Sequence, residues 1–189
     1  MSSSTQQSSA QNRPAFTTQA LVTMAIFAAI LCISAYISIP LPLPGSPHIT
    51  LLNFVILLIA LLFPLQQSFL IVLVWMLLGC VSLPVFIGGG AGIGYLTGPW
   101  GGYTFSFLIV ALLLPAIRGS RYNRIRYTIV SIIGALLVDF VGMFWLMYMN
   151  KLGIAEAFSI GFVPFLPLDM VKAVVAAQII PAFSRIIRQ

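Results

Sequence analysis

The sequence predicts an all-α integral membrane protein with six transmembrane helices. Of its 189 residues, 60% are hydrophobic and only 6% are charged, whereas a soluble domain carries about 25% charged residues. This composition excludes a water-soluble enzyme, a nucleic-acid-binding protein and a disordered chain. At about 20 residues for each membrane-spanning helix, the apolar residues suffice for roughly five or six spans.

The order of the apolar stretches predicts one domain after a short tail. Residues 1–15 are mostly polar, without the order of a signal peptide, and we expect a retained, flexible tail. Residues 16–189 are expected to form a single six-helix transmembrane domain. Its predicted spans lie near 16–39, 49–63, 65–83, 102–117, 127–149 and 165–187.

The basic residues predict the orientation of these spans in the cell membrane. With six crossings and both termini in the cytoplasm, seven of the nine basic residues fall on the inner side, as the positive-inside rule requires. The two exceptions, Lys151 and Lys172, lie on or near the outer side. The inner residues are Arg13, Arg118, Arg121, Arg124, Arg126, Arg185 and Arg188.

Two charged residues near the start of the last span are the main candidates for a binding site. Asp169 and Lys172 are three residues apart and therefore share one face of a helix. Asp169 could simply face the positive end of the helix dipole. Lys172 could extend outward to the membrane interface or neutralise Asp169. The functional alternative is an outward-facing anion site for a substrate carboxylate. Asp169 would then accept ligand N–H groups or orient the lysine.

A glycine-rich segment before the fourth span is the second candidate. Residues 88–102 hold eight of the fifteen glycines but lack the endings of a nucleotide-binding loop. We expect an outer loop over the pocket, whose backbone approaches a small ligand closely. A re-entrant loop without a ligand is the alternative. The glycines predicted to contribute are Gly89, Gly90, Gly98 and Gly102.

Aromatic residues near this loop could form flat apolar walls for a ligand. Trp75, Tyr95, Trp100 and Tyr103 are the candidates, although Trp and Tyr also act as anchors at the membrane interface. Asp139, the other acid within an apolar span, could hydrogen-bond another helix or contact a ligand. Both readings stay open.

Small residues point to helix packing, and no residue pattern indicates a metal site. Ala25 and Ala29 form a small-xxx-small pair that could pack within the bundle or dock a separate membrane subunit. Cys32 and Cys80 are expected to pack between helices. His48 is the only histidine and has no potential metal ligand near it in the sequence, so we expect no metal and no cofactor.

Five sequence segments together resemble the biotin-specific substrate-binding (S) components of energy-coupling factor (ECF) vitamin transporters. The resemblance covers most of the chain after the tail. The segments are Ile39-Pro-Leu-Pro with His48-Ile-Thr50-Leu, Leu78-Gly-Cys-Val-Ser-Leu-Pro84-Val-Phe86, Gly98-Pro-Trp-Gly-Gly-Tyr103, and Phe165-Leu-Pro-Leu-Asp169-Met-Val-Lys172-Ala.

The resemblance implies a six-helix protein that binds biotin in an outward-facing pocket and is not itself an enzyme. Family binding positions map onto Asp169, Lys172, the glycine loop, Trp75 and Tyr103. The alanine motif that contacts the transmembrane coupling subunit maps onto Ala25 and Ala29. ATP hydrolysis would belong to two partner ATPase subunits. Alternatives are an S component for another carboxylated vitamin (lipoate or dethiobiotin) and a non-transporting assembly protein.

Overall fold

The structure of the protein is a computed structural model that describes residues 17–40, 42 and 48–187, with side chains of the last helix described as far as Ser184. Within these residues the chain forms helices and one short hairpin. The hairpin strands are β1 (Ser38–Pro40) and β2 (His48–Thr50). The helices are α1 (Thr18–Ser34), α2 (Leu52–Leu62), α3 (Leu65–Cys80), α4 (Ile93–Leu96), α5 (Gly101–Ile117), α6 (Arg124–Asn150), α7 (Ile154–Gly161) and α8 (Leu166–Ile187).

Each of the six predicted stretches coincides closely with one of the longer helices, which are α1, α2, α3, α5, α6 and α8. Helix α5 begins one residue before its predicted stretch, and α6 begins three residues before its stretch and ends one residue after it. The all-α fold class is confirmed, and one short strand pair adds to it: β1 and β2 pair antiparallel with Ile39 opposite Ile49. The residue before a proline is disfavoured in helical conformation, so the Ile39-Pro40 pair favours an extended chain after α1. The predicted tail, Arg13 and Arg188 lie outside the described residues.

Helix α2 is the centre of the bundle. Apart from Asn53, its sequence is apolar on every face, as expected for a helix buried all round. Its residues from Val55 to Leu61 are buried, and the helix packs against α1, α3, α5, α6 and α8. At 1.5 Å per residue its 11 residues rise only about 17 Å. These five helices therefore surround a short central helix.

Arginine side chains close the ends of two helices on one side of the bundle. Arg118 donates to the carbonyl oxygens of Leu61 at 2.5 Å and Phe63 at 2.9 Å, at the C-terminal end of α2. Arg126 donates to the carbonyl of Ile117, at the end of α5. Carbonyls in the last turn of a helix lack intrahelical donors and carry partial negative charge. The guanidinium groups of Arg118 and Arg126 supply both the missing hydrogen-bond donors and a positive charge.

Two helices, α6 and α8, are long and apolar enough by length and composition to cross a membrane. The helices α1, α2, α3 and α5 are apolar but shorter, at 11 to 17 residues. Many large apolar side chains on the outside of the bundle are exposed. An outer surface of this kind is typical of a protein whose solvent is lipid.

Candidate functional site

A cavity of about 210 Å³ lies at the end of the bundle opposite Arg118. The first turns of α2, α5 and α8, the strand β2 and the second half of α6 contribute to it. Its residues fall into an aromatic wall and a polar group. The lining consists of His48, Thr50, Asn53, Ile87, Tyr95, Trp100, Tyr103, Asp139, Phe165, Asp169 and Lys172.

The polar part of the cavity is built around an ion pair between a half-buried lysine and a buried aspartate. The Nζ atom of Lys172 lies 2.8 Å from Oδ1 of Asp169, and the Asp169 side chain is only 3% exposed. Lys172 also donates to the carbonyl oxygen of Thr50 at 2.8 Å. The amide of Asn53 donates to the second oxygen of Asp169 at 3.0 Å. A small network therefore joins α8 to the end of β2 and the first turn of α2.

The hairpin brings polar groups to the cavity because it immediately precedes α2. His48 pairs with Pro40 across the hairpin, and its Nδ1 atom lies 3.3 Å from the hydroxyl of Ser38. Thr50 is buried, and the next residue, Leu51, donates its N–H to Ile37. The short strand thus fixes the carbonyl that Lys172 uses.

The glycine-rich loop forms tight turns that are satisfied within the protein. Gly88 and Gly89 have φ angles of 68° and 79°, which glycine adopts without steric cost. The N–H of Gly88 donates to Ala35, and the N–H of Gly89 and Gly90 donate to Phe86 and Ile87. The loop backbone is therefore engaged in the fold and folds over the hairpin side of the cavity.

Two tryptophans hold this loop from outside the cavity. Trp75 is completely buried, donates its indole N–H to the carbonyl of Val85 at 2.9 Å, and packs edge-on against Phe86. Trp145, on α6, donates to the carbonyl of Gly98 at 2.9 Å. Both side chains fix where the loop begins and ends.

The aromatic wall is made by Trp100, Tyr103 and Phe165, with Tyr95 beside them. The ring of Tyr103 lies 5.6 Å from that of Trp100 and 5.7 Å from that of Phe165. Its hydroxyl donates to the carbonyl of Gly161, at the end of α7. Burial raises the pKa of Tyr95 to about 12, so this phenol is neutral at physiological pH. The wall is apolar and uncharged.

Of the predicted site residues, the structure brings Asp169, Lys172 and Tyr103 together in the cavity. The described lining residues do not include Trp75 or the four glycines Gly89, Gly90, Gly98 and Gly102. Trp75 and Gly98 instead take part in the hydrogen bonds that anchor the loop. Gly102 lies where a side chain would collide with Trp145, so it permits close packing of α5 on α6.

Sequence reasoning missed Asn53 and the anchoring role of Trp145. Asn53 is the single amide in an otherwise apolar helix, and that isolated polarity was a signal that could have identified it. The sequence left two possible roles for Asp139. In the structure its fully buried side chain lines the cavity. Among the described residues, neither of its oxygens has a hydrogen-bond partner.

The alanine pair lies on the outside of the bundle. Ala25 and Ala29 are both exposed, while Ala28, between them in sequence, is buried. Ala25 and Ala29 therefore form an exposed strip of small residues on the outer face of α1.

Exposed apolar helices around a small cavity, with an ion pair at its polar side, define a small-molecule-binding protein of the membrane. The chain belongs to the BioY family, whose family model matches residues 5–189.

Similar proteins agree with this membership over most of the chain. The biotin transporter BioY2 of Lactococcus lactis subsp. cremoris (strain MG1363) is 32% identical over 155 residues, which cover 82% of this chain and 84% of that protein. The biotin transporter BioY of Thermotoga maritima is 35% identical over 160 residues, covering 84% and 92%.

The fold also matches solved structures. The S-component for biotin from an ECF-type ABC transporter superposes with a TM-score of 0.80 at 26% identity, covering 90% of this chain and 95% of that one. FolT bound with folic acid gives a TM-score of 0.52 at 13% identity, a likeness of fold alone. The architecture is that of ECF S components.

The packing role of Gly102 can be tested against a glycine with free space around it. We expect Gly102→Ala to lower thermal stability, because overpacking a close contact costs about 1–3 kcal/mol and the new Cβ would overlap Trp145. Gly94→Ala is the control, since nothing lies within 4 Å of its Cβ position. Equal melting temperatures of both variants in detergent would contradict the packing role.

Proposed function

We propose that this protein binds biotin and takes it up across the cytoplasmic membrane as the substrate-specific subunit of an ECF-type transporter. The single observation that carries the proposal is the Lys172–Asp169 pair in the cavity, within a fold that matches the biotin S-component at a TM-score of 0.80. Biotin combines a carboxylate tail with a compact, largely apolar bicyclic ring. The cavity offers a cation for the carboxylate and an aromatic wall for the ring.

Lys172 is the group that would bind the ligand carboxylate. An ammonium has three N–H donors, and two of them are directed to Thr50 and Asp169. The third remains for a ligand. Since Lys172 is the only lysine or arginine among the described lining residues, it supplies the positive charge that a carboxylate requires.

Asp169 is proposed to hold Lys172 in position for the ligand carboxylate. The bicyclic ring would lie along the wall of Trp100, Tyr103 and Phe165. The glycine loop, with Trp75 behind it, would close this side of the pocket.

Replacing Lys172 should weaken biotin binding strongly. Losing one member of a buried charge pair costs about 2–5 kcal/mol, so Lys172→Met is expected to lower affinity by about 30-fold or more. Isothermal titration calorimetry on the purified protein measures this effect.

Two controls make this measurement specific. Lys151→Met removes a lysine that is exposed outside the cavity and should leave affinity unchanged. Biotin amide, whose tail is neutral, should bind the wild type and Lys172→Met with similar affinity. An unchanged biotin affinity in Lys172→Met would reject the carboxylate assignment.

The proposed orientation has six crossings, both termini in the cytoplasm and the cavity facing outward. It is supported by the positions of the charges: Arg118, Arg121, Arg124 and Arg126 follow α5 at the end away from the cavity, where a basic excess favours the cytoplasm. Lys151 and Glu156 lie near the cavity end, between α6 and α8.

Cysteine labelling can test this orientation. In a background with Cys32 and Cys80 replaced by serine, a membrane-impermeant maleimide should label Glu156→Cys in intact cells. Arg121→Cys should react only after permeabilisation, because both positions are exposed and the proposed orientation puts them on opposite sides of the membrane. The reversed labelling pattern would overturn the topology.

The exposed strip at Ala25 and Ala29 is proposed as the docking site for the transmembrane coupling subunit, with two partner ATPase subunits supplying ATP hydrolysis. Small residues allow another helix to approach closely, and these two are exposed in the described bundle.

Larger side chains at this strip should separate binding from transport. The double variant Ala25→Leu/Ala29→Leu is expected to bind biotin within about twofold of the wild type while uptake in cells falls at least about tenfold, because only assembly is blocked. Ala116→Leu, at an exposed alanine on α5, is the matched control and should keep uptake. Normal uptake by the double variant would exclude this docking surface.

A further inference from the structure

Asp139 is the one carboxyl on the cavity that the proposed function leaves without a role. It lies on α6, its side chain is 0% exposed, and it lines the same cavity as Lys172. Neither carboxyl oxygen has a hydrogen-bond partner among the described residues. Asp169, by contrast, accepts a hydrogen bond at each oxygen.

The charges around Asp139 do not favour an ionised carboxylate. The titratable groups that face the cavity are Asp169 and Lys172 on α8, Tyr103 on α5, Tyr95 on α4 and His48 on β2. Lys172 already pairs with Asp169 at 2.8 Å. A second negative charge in this small cavity would therefore lack its own cation, and burying an unpaired charge is strongly unfavourable.

Binding of an anionic ligand makes an ionised Asp139 still less favourable. Two ionised carboxyl groups and a ligand carboxylate would place three negative charges against one lysine in about 210 Å³. Carboxyl groups that share a site resolve such repulsion by retaining a proton on one of them. Because Asp169 is ion-paired with Lys172, Asp139 is the carboxyl group that retains the proton.

We propose that Asp139 carries a proton in the liganded protein and donates it in a hydrogen bond to an oxygen of the ligand. This inference rests on the proposed biotin-binding function and adds a neutral donor to the cation supplied by Lys172. A protonated carboxyl presents one O–H donor beside an acceptor oxygen. Either the ligand carboxylate or the carbonyl of its urea ring can accept the hydrogen bond.

Two substitutions of similar size separate this role from mere packing. Asp139→Asn keeps a neutral donor and acceptor, so biotin affinity should stay within about threefold of the wild type. Asp139→Leu removes both polar groups and should lower affinity at least about tenfold, since the ligand oxygen then loses its donor. Asp139→Leu should fold with equal or higher thermal stability without ligand, because an unsatisfied buried group has been removed.

Infrared difference spectroscopy on biotin binding reports the proton directly. The wild type should show the C=O stretching band of a protonated carboxylic acid that shifts when biotin is added, and Asp139→Asn should lack it. The absence of that band in the wild type would overturn the proposal.

The binding measurements give two further ways to reject the inference. An Asp139→Leu affinity equal to the wild type would exclude contact with the ligand. A loss in Asp139→Asn as large as that in Asp139→Leu would exclude the neutral donor. These failures would leave the proposed function intact, whereas a wild-type protein that does not bind biotin would contradict the proposed function itself.

Discussion

The ion pair between Lys172 and Asp169 is the interaction around which the cavity is organised. It fixes the first turns of α8 and, through Asn53 and the carbonyl of Thr50, the beginning of α2 and the end of the hairpin. In an interior from which water is excluded, each of these groups would be costly without its partner. The same bonds that hold three elements together therefore also shape the polar side of the pocket.

The remainder of the site depends on rings that lie where a glycine leaves room for them. A Cβ atom at Gly79 would overlap the ring of Phe86, and one at Gly142 would overlap the ring of Tyr103. The first contact fixes the glycine-rich loop beside Trp75, and the second fixes the aromatic wall. Glycine acts here mainly by allowing close packing of large side chains.

The sequence predicts those parts of the structure that follow from composition and local pattern. Apolar stretches located the six longer helices, and the rarity of buried charge pointed to Asp169 and Lys172. The hairpin was missed because three-residue strands in an apolar chain leave almost no periodic signal. The exclusion of Trp75 from the cavity lining depends on Val85 and Phe86, contacts across the fold that no spacing along the chain reveals.

The shortness of α2 has a consequence for where a ligand can be held. Eleven residues rise about 17 Å, little more than half of a hydrocarbon core about 30 Å thick. Because Arg118 closes the other end, the missing length lies on the cavity side, and the hairpin and loop occupy it. His48 and Thr50, which an α2 longer by one turn or more would contain, lie instead in a strand that lines the pocket.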